Sequence, residues 1–136
     1  MMSGDDRVPE KGFWKEGRIG ETAAKRHLVA AGLKLLTANF KTKESEIDLV
    51  FRDDEYLVFV VVKAWTEGEW TRSSAAVNQR KRALLSKAAE QYVRKLPNSN
   101  VKFRFDIVEV LLVDGEVSEV RHIPNAFPLT KAKRHA

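Results

Sequence analysis

The sequence predicts an α/β fold, a mixed central sheet with helices covering its faces, on three observations. Two segments, 19–31 and 76–96, carry apolar residues at helical spacing. Five further segments alternate or run continuously apolar, as strands do. Their order along the chain is α-β-β-β-α-β-β.

In 19–31, Ile19, Ala23, Ala24, Leu28 and Ala31 keep the helical stripe with His27 as an aromatic member, and Gly32 follows as a left-handed cap. Residues 34–40 read as a weaker first strand that closes near Asn39 and 41–43. Residues 45–52 alternate, with Ile47, Leu49 and Phe51 on one face and Glu46, Asp48 and Val50 on the other. A turn at Asp53 and Asp54 leads back into 56–65, whose Leu-Val-Phe-Val-Val-Val run reads as a central strand buried on both faces. The long second helix holds Leu85, Ala88, Ala89, Tyr92, Val93 and Leu96 on one stripe, and Pro97 with Asn98 stops it. Strands 102–113 and 116–123 then form a hairpin across Asp114-Gly115.

The chain has 136 residues, 43% of them apolar, which suits a single core. We expect a flexible N-terminal segment at 1–16, one domain at 17–127 and a basic tail at 128–136. With 24 Lys and Arg against 19 Asp and Glu, the net charge of +5 favours a polyanionic partner. Cysteine is absent, which excludes a disulfide scaffold, a thiol nucleophile and any thiolate metal site. His27, His122 and His135 lack metal-ligand spacing. No apolar run has the length of a membrane span, and the polar start lacks the apolar core of a signal peptide, so a cytoplasmic location without a membrane partner is expected.

Chemistry enters through strand parity. A turn centred on Asp53 and Asp54 sets Asp48 opposite Phe59 and puts 57, 59, 61, 63 and 65 on the Asp48 face, while Val58, Val60 and Val62 share the all-core face of Ile47, Leu49 and Phe51. Lys63 ends a very apolar strand on the Asp48 face, and a charge there requires a partner. Asp48 and Lys63 are therefore expected to face one another, and Glu21, at the margin of the first helix's stripe, reaches the same corner. Two acids and a lysine so placed fit metal-assisted phosphodiester cleavage: carboxylates hold a hard cation, and an ammonium sits beside the attacking water and the developing phosphate charge. The same spacing also describes a plain Asp48–Lys63 salt bridge with Glu21 on the surface.

Arg72, Arg80, Lys81, Arg82 and Lys87 cluster at and after the start of the second helix, and Lys131, Lys133 and Arg134 charge the tail. They suit phosphates read without base specificity, or else a solvated helix face. Trp65 and Trp70 flank a polar loop, where an indole either stacks on a base or, on the plainer reading, packs against the sheet. Arg104 and Asp106 are expected to form a structural ion pair.

Several separated motifs then occur in order: GRIGETAA at 17–24, Asn39-Phe40, SEIDLV at 45–50, LVFVVVK at 57–63, KRALLSKAAEQYV at 81–93, RFDIV at 104–108 and HIPNAF at 122–127. Over 17–127 the chain resembles the YraN-like family of small bacterial proteins, which is similar to archaeal Holliday-junction resolvases of the PD-(D/E)xK, restriction-endonuclease-like fold. The resemblance implies that Glu21 is the helix-borne glutamate, Asp48 the metal-binding aspartate and Lys63 the signature lysine, with Mg²⁺ or Mn²⁺ as cofactor. It also implies DNA as the partner, branched or otherwise structured, for which a homodimer would be apt. One position departs. Where the family usually reads F-V-E-V-K, Val61 replaces the second metal-binding carboxylate. Lesser departures are Ser45, where glycine is usual, and Ala64-Trp65, where a polar residue and arginine are common. Loss of a charged oxygen ligand is expected to leave cation binding weak or absent, with Glu21, Glu46 or a backbone carbonyl as partial compensation. The reading is thus a nucleic-acid-binding protein with an impaired nuclease site. The alternative is a non-catalytic scaffold for nucleic acid or protein.

Overall fold

Strands apolar on both faces need cover on both, and among the described residues each face receives one helix. The computed structural model describes residues 4–66, 77–98 and 100–130. Its elements are α1 (Gly4–Ala30), β1 (Lys34–Lys41), β2 (Glu46–Asp53), β3 (Tyr56–Thr66), α2 (Gln79–Arg94), β4 (Lys102–Val113) and β5 (Glu116–Phe127), in the α/β order expected. The sheet runs β1-β2-β3-β4-β5. Every neighbouring pair is antiparallel except β3 and β4, which are parallel and are joined through α2. Among the described residues no helix is long and apolar enough to cross a membrane.

Two hydrophobic clusters fill the space between sheet and helices. Ala24, Leu28 and Leu33 pack with Leu49, Phe51, Val58, Val60, Val108 and Val110 on the α1 side. Leu85, Ala88, Ala89 and Val93 of α2 pack with Val50, Leu57, Phe59, Val61, Phe105 and Ile107 on the other. Asn78 caps α2, its side-chain oxygen accepting the Lys81 N–H at 2.9 Å, so this helix begins at Gln79 rather than at 76.

Some expectations need correction. The backbone of α1 begins at Gly4, ahead of the start expected at Ile19; the charged residues, Gly and Pro that precede Ile19 carry no apolar stripe by which a helix could be read. The β2–β3 register pairs Val50 with Phe59 and Leu49 with Val60, so Phe59 faces Val50 and not Asp48. The cause is a tight turn: Asp53 pairs with Tyr56, and Asp54 takes a left-handed φ of 60°. A two-residue shift preserves parity, so Val61 still falls on the side of Val50. Ile47, however, joins the cluster of Val50 rather than that of Leu49. The alternation slips across Asp48, opposite Asn39, which stands at φ 54°.

Gly20 sets the distance between α1 and β3. A β-carbon there would lie 3.1 Å from Ala64 Cβ and 3.8 Å from Val62 Cγ1. Gly20→Ala is therefore expected to cost about 1–3 kcal/mol of stability despite alanine's better helix propensity, as urea denaturation would show.

A polar network ties together three strands. Asp106 of β4 is fully buried and accepts from Arg104 Nε at 3.0 Å, from the Asn125 N–H at 2.9 Å and from His122 Nε2 at 2.7 Å. Arg104 also reaches Asp53 at the end of β2, 3.1 Å away. The expected Arg104–Asp106 ion pair is thus present, within a larger set of bonds that spans the β4–β5 register shift between Phe105 and Ile107.

Candidate functional site

Regular β2–β3 pairing ends at Leu49 and Val60, and one residue further Asp48 replaces a backbone acceptor with its own carboxylate. Its Oδ2 accepts the Val62 N–H at 2.7 Å. Beside this opening lies a cavity of about 760 Å³, lined by Gly17, Arg18 and Glu21 of α1, Asn39 of β1, Glu46 and Asp48 of β2, and Val61 to Trp65 of β3. Glu21, Asp48 and Lys63 therefore share one cavity, and Val61 forms part of its wall.

The acids are organised by an amide. Asn39 Nδ2 donates to Glu21 Oε2 at 3.1 Å and to Glu46 Oε2 at 2.9 Å, holding two carboxylates that would otherwise repel. Burial pushes the Asp48 carboxyl up to about 6; Glu21 and Glu46 add to the rise, while the Val62 N–H and Lys81 oppose it. Burial likewise pushes the Lys63 ammonium below its ordinary value, with Lys81 adding to the fall and Asp48 resisting it. Asp48 and Lys63 interact through space, but among the described residues no contact ion pair joins them, so the plain salt-bridge reading is corrected. Two groups poised toward their neutral forms in one cleft are a common mark of chemical or binding sites.

The basic cluster divides. Lys81 is exposed and close enough to shift both Asp48 and Lys63. Arg80 and Lys87 are exposed along α2. Arg82 serves the fold: its Nε donates to the Val77 carbonyl at 2.8 Å, and its guanidinium lies 4.9 Å from the Phe127 ring centroid. Arg72, Trp70 and the charges at Lys131, Lys133 and Arg134 lie outside the described residues. Sequence reasoning missed Asn39, Arg18 and Glu109. An asparagine within a strand was the available signal for the first, because that residue disfavours strands and tolerates a left-handed backbone.

The donors present do not fit Mg²⁺ or Mn²⁺. Among the described residues no group of three or more His, Asp or Glu side chains is arranged to hold a metal ion. One Asp48 oxygen is engaged by Val62, Glu21 and Glu46 share the Asn39 amide, and Val61 offers no oxygen. A hard divalent cation requires several converging oxygens.

The sequence is similar to known proteins over most of its length. Residues 20–110 match the family model described as Uncharacterised protein family UPF0102. A UPF0102 protein of Trichlorobacter lovleyi is 37% identical over 88% of this chain and 94% of its own length. One from Syntrophomonas wolfei is 38% identical over 87% and 97%, and one from Porphyromonas gingivalis is 39% identical over 83% and 84%.

Proposed function

The chain belongs to the uncharacterised protein family UPF0102, and we propose that it is a nucleic-acid-binding protein, most simply for DNA, whose nuclease-like pocket lacks a competent divalent-ion site. The observation that supports this reading is the shared cavity of Glu21, Asp48 and Lys63, with Lys81 nearby and the isopropyl group of Val61 where a further carboxylate would complete the donor set. The phosphate backbone would be met by Arg18, Lys63 and Lys81, with Arg80 and Lys87 extending the positive face along α2. Glu21 and Glu46 exclude phosphate from the opposite wall. Such contacts carry no base specificity, and their strength depends on counterion release.

The test compares the protein with Val61→Glu. The parent is expected to bind DNA with an affinity that falls about fortyfold between roughly 50 and 200 mM salt for three phosphate contacts. It is expected to leave plasmid and branched DNA uncut in Mg²⁺ or Mn²⁺. Val61→Glu should lose about 1–3 kcal/mol of stability without metal, because it crowds a carboxylate against Asp48. Mn²⁺ should then raise its melting temperature and permit cleavage, while leaving the parent's melting temperature unchanged. Failure of the parent to bind any DNA at low salt would overturn the binding reading. A Mn²⁺ shift in the parent equal to that in Val61→Glu would overturn the assignment of the defect to Val61.

A further inference from the structure

Trp65 belongs to neither hydrophobic cluster, although it stands next to last in the very apolar strand β3. Its side chain is half-buried and lines the cavity beside Lys63. Among the described residues, then, packing against the sheet does not account for this ring. Its edge is held instead: the indole N–H donates to Glu109 Oε2 at 3.1 Å, and Glu109 is fully buried on β4 with its other oxygen 3.4 Å from Arg121 Nη1. Anchoring the polar edge of an indole in this way fixes the ring orientation, and the side chain so held lines the cavity.

The surroundings suit a flat, apolar-faced ligand that also carries negative charge. Val61 and Ala64 add apolar wall, Lys63 and Arg18 add cations, and a volume of about 760 Å³ is in the range of pockets that enclose small organic groups. A base inside a duplex has both faces covered by its neighbours, so an indole can stack only on one that is unpaired. Resting on the nucleic-acid reading above, we infer that Trp65 is a stacking platform for one unpaired nucleobase, and that the preferred ligand is single-stranded nucleic acid with its phosphates on the Lys63 side of the cavity.

The sequence holds three tryptophans, so the full chain carrying Trp14→Phe and Trp70→Phe reports on Trp65 alone. Its fluorescence is followed against a short single-stranded oligonucleotide, an abasic strand of the same length, and the corresponding duplex. The expected result is quenching by the base-containing single strand only. Trp65→Leu should weaken single-strand binding about tenfold or more while leaving duplex binding unchanged, and Trp65→Phe should restore most of the loss. Matched circular-dichroism melts ensure that the variants are folded. Equal quenching by the abasic strand, or equal loss of single-strand and duplex affinity in Trp65→Leu, overturns the stacking role while leaving the binding reading in place. Absence of binding to all three ligands overturns both.

Discussion

Asp106→Ala is expected to remove about 3–5 kcal/mol from the free energy of unfolding, a large share of the 5–15 kcal/mol typical of a domain. The carboxylate is fully buried, and its removal strands the His122 Nε2 and the Asn125 N–H and leaves the Arg104 guanidinium to its bond with Asp53. Asn125 sits at φ 51°, so the bond to its N–H also holds β5 in an uncommon backbone conformation next to the register shift. Burial alone would raise the Asp106 pKa, but the bonds from His122, Arg104 and Asn125 outweigh it and hold the group below its ordinary value. A depressed folded pKa contributes stability in full above the ordinary carboxylate value, and that contribution is lost as pH falls through the folded one. Urea denaturation at neutral pH should show the loss in Asp106→Ala, with a smaller loss in Asp106→Asn, which keeps an acceptor for the Asn125 N–H. The wild-type chain should lose stability below about pH 4 more steeply than either variant. A loss under about 1 kcal/mol in Asp106→Ala would show the network to be incidental to the fold.

Asp48→Asn is expected to act in the opposite direction and to stabilise the protein at neutral pH. The Asp48 pKa is raised from 3.8 to about 6, chiefly by burial and then by Glu21 and Glu46, against the Val62 N–H and Lys81. For a raised acid, the contribution to stability is full below the unfolded value and disappears as pH rises through the folded one. Above pH 6 the ionised carboxylate is therefore a net cost, about 2 kcal/mol once partial solvent screening is allowed for. An asparagine keeps an oxygen for the Val62 N–H and carries no charge. The melting temperature of Asp48→Asn should exceed that of the parent by roughly 6–10 °C at pH 7.5, and the two should converge by about pH 4. A gain that does not change with pH would mean that packing, and not the buried charge, is the source. A carboxylate that weakens its own fold is characteristic of groups kept for binding or chemistry.

The element order was readable because it rests on apolar periodicity, which survives tertiary packing. Leu85, Ala88, Ala89 and Val93 announce α2 and then fill one core; Leu57 to Val62 announce a doubly buried strand and supply both cores. Boundaries and register were less readable, since they depend on single backbone conformations. Asp54 at φ 60° closes the turn one residue later than composition suggests, and Asn39 at φ 54° breaks an alternation that looked regular. The meeting of Glu21, Asp48 and Lys63 in one cavity followed from placing two acids and an amine at one corner of the sheet, although strict face parity fails at Asp48, where the alternation slips. Its supporting residues did not. Asn39 bridges two acids from a different strand, Glu109 reaches Trp65 from across the parallel seam, and Arg82 looks like a phosphate contact until its bond to the Val77 carbonyl is seen. Such roles arise from proximity in space and leave no spacing to count.

The parallel seam has a consequence for how the chain emerges from the ribosome. Tyr56 pairs with Lys102 and Thr66 with Leu112, so the flank of β3 opposite β2 stays bare until the C-terminal hairpin has been synthesised. During that interval the nascent polypeptide displays an uncovered apolar edge, which is the kind of surface that molecular chaperones shield and that otherwise recruits a second unfinished chain. Every residue lining the cavity precedes that point, so the pocket is translated early, yet the strand that forms its floor acquires its second neighbour last.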